Sequence, residues 1–269
     1  MLNVYGDGVR MVVRVSDDIV ERVVARLREL EPSAGAVLLT GSYARGHPRP
    51  DSDFDVTAIT RSQPRTEDRV WFEPRDGMAP LHVSAGAESI DWREDEGEPA
   101  SWSLGFPARD VALYLWYEDD IRATIGDDPS LNHPAQPPEI EGVMECVAKA
   151  GAAMRSGDTV QMRWHAHDAA LFVPSVLLPY NDARVVTDRT GALVAALGLH
   201  TVTEHYSDDL PILLGLRAAT DEDVWTSLRR LSGELFELVR ANVGELSTEN
   251  GIAPYLVDGT VERHLGLVR

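Results

Sequence analysis

Residues 37–56 read Val37-Leu-Leu-Thr-Gly41-Ser42-Tyr-Ala-Arg45-Gly-His-Pro-Arg-Pro-Asp-Ser-Asp53-Phe-Asp55-Val56. The apolar run 36–40 reads as a buried strand, and 54–60 alternates as a second one. Between them lies a polar connection broken by Gly and Pro. Gly41 lets the backbone come close to a phosphate, and Ser42 offers both an amide and a hydroxyl as donors. Asp53 and Asp55 are two apart at the start of a strand, so both carboxylates point to one face. Two carboxylates on one face, beside a phosphate-binding turn, suit a pair of Mg²⁺ ions bridging nucleotide phosphates. A Gly-Ser turn or an Asp-x-Asp alone is commonplace. The two together, in this order between two apolar strands, point to chemistry.

Outward from this stretch, residues 16–30 predict a helix. Ser16 stands at its cap, Asp17 and Asp18 suit the positive end of its dipole, and Ile19, Val20, Val23, Val24, Leu27 and Leu30 make one apolar stripe. Two more strands are expected at 69–75 and 80–87, joined by a turn at Asp76-Gly77. From about 107 the texture changes. Residues 108–125, 140–154 and 160–178 read as helices, the last interrupted by Pro174. Thr220 and Asp223 form a capping box before a helix carrying Val224, Leu228, Leu231, Leu235, Leu238 and Val239. The expected fold class is α+β: an N-terminal αβ domain with a mixed sheet over 1–107, then an all-helical, substrate-binding domain over 108–269.

The 269 residues are 43% apolar, enough for a proper core. Net charge is -19, from 44 acidic and 25 basic residues. Such a field disfavours a nucleic-acid backbone and favours cationic partners. Lys149 is the single lysine, so a cationic contact to phosphate falls to Arg. Cys146 is the single cysteine, which excludes an intramolecular disulfide or a Cys-based zinc site and fits a reducing compartment. The amino terminus lacks the layout of a signal peptide, and no apolar run approaches the roughly 20 residues of a membrane span. A cytoplasmic protein without a membrane partner is expected.

Gly41-Ser42-Tyr43-Ala44-Arg45-Gly46, followed by Ser52-Asp53-Phe54-Asp55-Val56, resembles the signature of the DNA polymerase β-like nucleotidyltransferase superfamily. The likeness is greatest to the branch holding the aminoglycoside (streptomycin-type) nucleotidyltransferases and the minimal nucleotidyltransferases. The resemblance implies transfer of a nucleoside monophosphate, AMP from ATP, to a hydroxyl, with pyrophosphate leaving. It implies that Gly41 and Ser42 hold the β- and γ-phosphates and that Asp53 and Asp55 bind two Mg²⁺ ions. The acidic chain makes a cationic small molecule of the aminoglycoside kind the expected acceptor. Two alternatives remain open: an antitoxin that adenylylates a partner protein, and a non-catalytic nucleotide-binding module.

One departure stands out. The family places a third carboxylate on a later strand, where this chain has His82. Glu88, Asp91 and His82 are equal candidates for general base; imidazole suits the task through its pKa near 6.5. Arg45 is a candidate phosphate contact, while Arg49, Arg61 and Arg65 read as solvated surface. His165 and His167 are two apart on a helix and so diverge, which argues against a metal site there. Asp168 is a candidate for holding a substrate ammonium or activating a hydroxyl. Trp102, Trp116 and Trp164 are expected to pack in the core.

Overall fold

The computed structural model describes residues 15–64 and 69–241. The amino-terminal residues 1–14 and Arg65 lie outside the described residues. Two compact units share the chain. One comprises residues up to Glu98 together with Arg109–His133, and the other Pro99–Ala108 together with the chain from Pro134.

The first unit is built on a mixed sheet. Among the described residues five strands pair in the order β3-β4-β2-β1-β6. They are β1 (Ala34–Leu39), β2 (Phe54–Thr60), β3 (Arg69–Glu73), β4 (Leu81–Ser89) and β6 (Leu113–Tyr117). Only β2 and β4 run parallel; the other pairs are antiparallel. One face carries Phe54, Val56, Ala58, Leu81, Val83 and Ala85. These pack with Ile19, Val23, Val24 and Leu27 of helix α1 (Asp17–Leu30). Val23 and Leu27 are wholly buried, and each such side chain contributes roughly 1.5–3 kcal/mol relative to exposure. On the other face Ala36, Leu38 and Ile59 pack with Ile121 and Ile125 of α3 (Asp119–Ile125). That cover lies at the carboxyl-terminal end of β2. Its amino-terminal end, with Asp53 and Asp55, is only half-buried.

Residues 108–125 do not form the single helix expected. They give β5 (Ala108–Asp110), β6 and α3, and β5 pairs with β7 (Leu131–His133). The cause is visible in the register. Against β1, Val37 pairs with Trp116 but Leu38 pairs with Tyr114, so Leu115 is an inserted residue in a bulge. Leu113, Leu115 and Trp116 therefore join the α1 side, and Tyr114 and Tyr117 the α3 side. A strand apolar on both faces and interrupted by a bulge carries no clean period of two.

The second unit is helical: α4 (Ile140–Ser156), α5 (Thr159–Leu177), α6 (Arg189–Leu197), α7 (Tyr206–Leu213) and α8 (Asp221–Ala241). Pro174 lies inside α5. The capping box at α8 forms as expected: the Thr220 amide donates to Asp223 Oδ2 at 3.0 Å, and the Asp223 amide to Thr220 Oγ at 3.1 Å. Asp209 of α7 is fully buried and takes the Arg230 guanidinium of α8 on both oxygens. Trp164 departs from expectation, being 65% exposed, while Trp102 and Trp116 are half-buried. Met162, Ala166, Ala169 and Val173 define the buried stripe of α5, and Trp164 sits two residues from Met162, about 200° around the helix. Among the described residues no helix is long and apolar enough to cross a membrane.

Candidate active site

The site starts where β1 ends. Thr40 is extended, Gly41 takes φ +65, and the four-residue helix α2 (Gly41–Ala44) follows. The Thr40 amide donates to the Asp55 carbonyl at 2.9 Å, tying this turn to the start of β2. Gly41 is obligatory here for two reasons. Its φ belongs to the left-handed region, and a Cβ would stand 2.0 Å from Asp55 Oδ2. Tyr43 fastens the turn from below, packing edge-to-face on Phe54 with ring centroids 5.2 Å apart. Ser42 Oγ is buried and finds no hydrogen-bond partner among the described residues.

Asp53 and Asp55 do share one side, as their spacing predicts. Burial first, and then the neighbouring Asp53 carboxylate, push the Asp55 carboxyl above its ordinary value. The two also share a hydrogen bond, while Arg45 and His82 pull the other way. Asp55 is thus a partly desolvated carboxylate crowded by a second one, with a guanidinium in electrostatic reach.

Strand register decides among the three candidate bases. Asp55 pairs with Ser84 across the parallel ladder, and paired residues share a face. His82, Ser84, Gly86 and Glu88 therefore line the face of the carboxylates. His82 lies at the same end of the sheet and acts electrostatically on Asp55. Glu88 pairs with Ile59, four residues and ~13 Å farther along β4 than Ser84. Its side chain is exposed, beside the part of the face that α3 covers. Asp91 lies beyond the strand, in the 3₁₀ turn Ile90–Asp95, with its amide directed to Ser89 Oγ. The structure brings His82 to Asp53 and Asp55 and leaves Glu88 and Asp91 apart.

Arg45 acts electrostatically on Asp55 and so stands beside the carboxylates. Arg61 binds Glu118 and Asp120 at the other end of the sheet, and Arg49 is exposed. Arg75 was not singled out by its sequence context. It sits in the β3–β4 connection, donates from Nε to the Ala79 carbonyl at 2.7 Å and hydrogen-bonds the Tyr43 phenol. Asp53 also acts on that phenol, so Arg75 belongs to the rim of the site. In the helical unit His167 is exposed and His165 half-buried, and Asp168 faces Cys146 and Lys149 of α4 electrostatically. Among the described residues no three His, Cys, Asp or Glu gather as metal ligands.

The donors present fit a divalent cation carrying a polyphosphate. The Asp pair offers hard oxygen ligands whose mutual repulsion a cation relieves. The orphaned Ser42 hydroxyl is what an anion close to the turn requires, and the bare Gly41 backbone lets that turn stand against the Asp55 carboxylate.

Two family models match the chain. Residues 20–85 match "Nucleotidyltransferase domain", and residues 139–240 match "Nucleotidyltransferase, substrate binding domain". No curated protein matches. Among solved structures, a nucleotidyltransferase-like protein from Exiguobacterium sibiricum is similar at 12% identity. That match covers 94% of this chain and 92% of that one, with a TM-score of 0.37. The first family match spans α1 to β4 and so takes in the Gly-Ser turn, both aspartates and His82; the second spans the helices from α4 to α8. A nucleotidyltransferase match over 20–85 followed by a nucleotidyltransferase substrate-binding match over 139–240 makes this chain a transferase enzyme of the nucleotidyltransferase superfamily.

Proposed function

We propose that the protein moves a nucleoside monophosphate, AMP from ATP, to a hydroxyl of a small molecule, releasing pyrophosphate. The observation that carries this reading is the juxtaposition of Asp53 and Asp55 with the Gly41 turn and the orphaned Ser42 hydroxyl. Asp53 and Asp55 would hold Mg²⁺, two ions in the full complement. When bound, the metal supplies charge neutralisation on the phosphate oxygens and on the leaving pyrophosphate.

The chain's own residues do the rest. The Gly41 backbone and the Ser42 amide and hydroxyl receive the β- and γ-phosphates. Arg45 adds positive charge beside Asp55. His82 accepts the proton of the acceptor hydroxyl as its oxygen bonds the α-phosphorus. The bond between the α-phosphorus and the bridging oxygen breaks, and pyrophosphate leaves with the electron pair. The family match over 139–240, described as a substrate-binding domain, supports a small-molecule acceptor over a partner protein. The net charge of -19 supports a cationic one, of the aminoglycoside kind. A cytoplasmic setting, where ATP and Mg²⁺ are both at hand, suits this reading.

The test is incubation of the full chain with Mg²⁺, ATP labelled at the α-phosphate, and a panel of aminoglycosides and other alcohols. Label transferred to an acceptor with stoichiometric pyrophosphate supports the reading. ATP left intact with every acceptor sinks it.

A further inference from the structure

The edge strand β3 pairs with β4 and is fastened from the α1 side. Its residues Trp71 and Glu73 are buried there. The Trp71 indole donates to Glu73 Oε1 at 2.9 Å, and Arg22 of α1 donates from Nε to Glu73 Oε2 at 3.1 Å. The Arg26 guanidinium lies 4.8 Å from the Trp71 ring centroid. Side chains alternate along a strand, so Val70 and Phe72 stand on the opposite face, 62% and 64% exposed. Register makes this the face of the carboxylates: Val70 pairs with Ser84, which pairs with Asp55, and Phe72 pairs with His82. An exposed Phe on an edge strand is what soluble proteins usually replace with charge.

Here the Phe72 ring has a neighbour to hold. It stacks on the His82 imidazole, with centroids 5.3 Å apart and planes at 24°. A histidine that moves a proton is ordinarily aimed by a hydrogen bond at its second ring nitrogen. Among the described residues His82 has the Phe72 stack and its electrostatic reach to Asp55, and no such bond. Rotation about two side-chain torsions would otherwise spread its nitrogens over several positions, and proton transfer demands one. Directly opposed cross-strand side chains restrict each other's rotamers, and the anchored backbone of β3 gives Phe72 a fixed footing. We propose that Phe72 is a positioning residue: its ring fixes the plane of the His82 imidazole for taking the acceptor's proton, and it acts on transfer through His82, touching neither substrate. This rests on the reading of His82 as proton acceptor.

The test uses the full chain as wild type, Phe72→Ala, Phe72→Leu, Phe72→Tyr, His82→Ala and the double variant Phe72→Ala with His82→Ala. Phe72 is largely exposed and its buried neighbours keep β3 in place, so the variants fold, as circular dichroism verifies. Phe72→Leu keeps apolar cover on the strand without a flat ring. Pyrophosphate release from Mg·ATP is followed with streptomycin and with kanamycin. Proton NMR of the metal-free protein follows the His82 ring, assigned by its loss in His82→Ala. Phe72→Ala and Phe72→Leu are expected to lower kcat about tenfold, with both KM values within about twofold of wild type, and Phe72→Tyr restores the rate. His82→Ala loses about 100-fold, and removing Phe72 from that variant costs nothing further. The His82 ring protons shift in Phe72→Ala and Phe72→Leu and return in Phe72→Tyr.

An unmoved kcat, a raised KM for either substrate, or unmoved His82 ring protons overturns the positioning role. So does an equal loss from Phe72→Ala when His82 is already gone, since the ring would then act by another route. Wild-type turnover by His82→Ala overturns the proton-acceptor assignment and the positioning role with it, while nucleotidyl transfer stands. A wild-type protein that releases no pyrophosphate with either acceptor overturns transfer to aminoglycosides and the positioning role together.

Discussion

Asp55 Oδ2 fills the space that a Cβ on Gly41 would need, at 2.0 Å from where that atom would be. Gly41→Ala must therefore displace either the turn or the carboxylate, besides placing an L-residue in the left-handed region at about 1–2 kcal/mol. The variant is expected to stay folded, with a moderately lowered Tm, and to lose at least ~100-fold in kcat/KM, the scale for losing one electrostatic element of the transition-state environment. Pyrophosphate release and a thermal melt on the same preparation check both parts.

Asp53→Asn has effects of opposite sign on stability and activity. The Asp53 carboxylate raises the pKa of Asp55, so in metal-free buffer the pair is a strained arrangement of like charge. Replacing one partner relieves it, and the expected Tm at neutral pH is slightly higher than wild type. Nucleotidyl transfer falls by ~100-fold or more. Melts in EDTA and turnover in Mg²⁺ separate the two effects.

Asp209 and Arg230 are unequal partners. The carboxylate is fully buried, whereas the Arg230 side chain keeps 40% of its exposure. Arg230→Ala strands a buried charge and is expected to cost about 3–5 kcal/mol. Asp209→Asn leaves an arginine that still reaches water and costs less. Urea denaturation should rank Arg230→Ala as the worse of the two.

Glu234 sets a pH dependence in the helical unit. Burial alone would raise its carboxyl, but the hydrogen bonds from the His205 side chain and main chain outweigh it and lower the pKa below the ordinary 4.5. A depressed folded value means a stabilisation present above the unfolded pKa and lost as pH falls through the folded one. Wild type should therefore be more stable than Glu234→Gln at neutral pH, with the difference shrinking below about pH 4.5. Chemical denaturation from pH 7 to pH 3 measures it.

Much of this was written plainly in the chain. The limits of β2 follow from the alternation Phe54-Asp-Val-Thr-Ala-Ile-Thr60, and α1 from its stripe of Ile19, Val23, Val24 and Leu27. The common face of Asp53 and Asp55 needs only the two-residue repeat of a strand. What was hidden depended on pairing between distant segments. His82, Glu88 and Asp91 look alike until the register opposes Asp55 to Ser84 and Ile59 to Glu88. Phe72 is visible as a strand residue, but which of its strand's faces meets the carboxylates is a property of β4. Strand β6 was masked by the bulge at Leu115, and α6 and α7 by their shortness, nine and eight residues, with Pro211 inside the second. Arg75 carried no local signal, because its partners Tyr43 and Ala79 are brought to it by the fold.

The path of the backbone has a consequence for anyone dividing this protein. It passes from the sheet unit to the helical unit after Glu98, returns at Arg109, and leaves again after His133. No single proteolytic cut or truncation can therefore yield both halves whole. A fragment stopping at residue 98 lacks β6, leaving Val37 and Leu39 of β1 on a bare edge, while one starting at 134 lacks Phe106, which belongs to the apolar cluster around Ala192 and Ala196. The enzyme's two parts are separable as architecture but not as polypeptides.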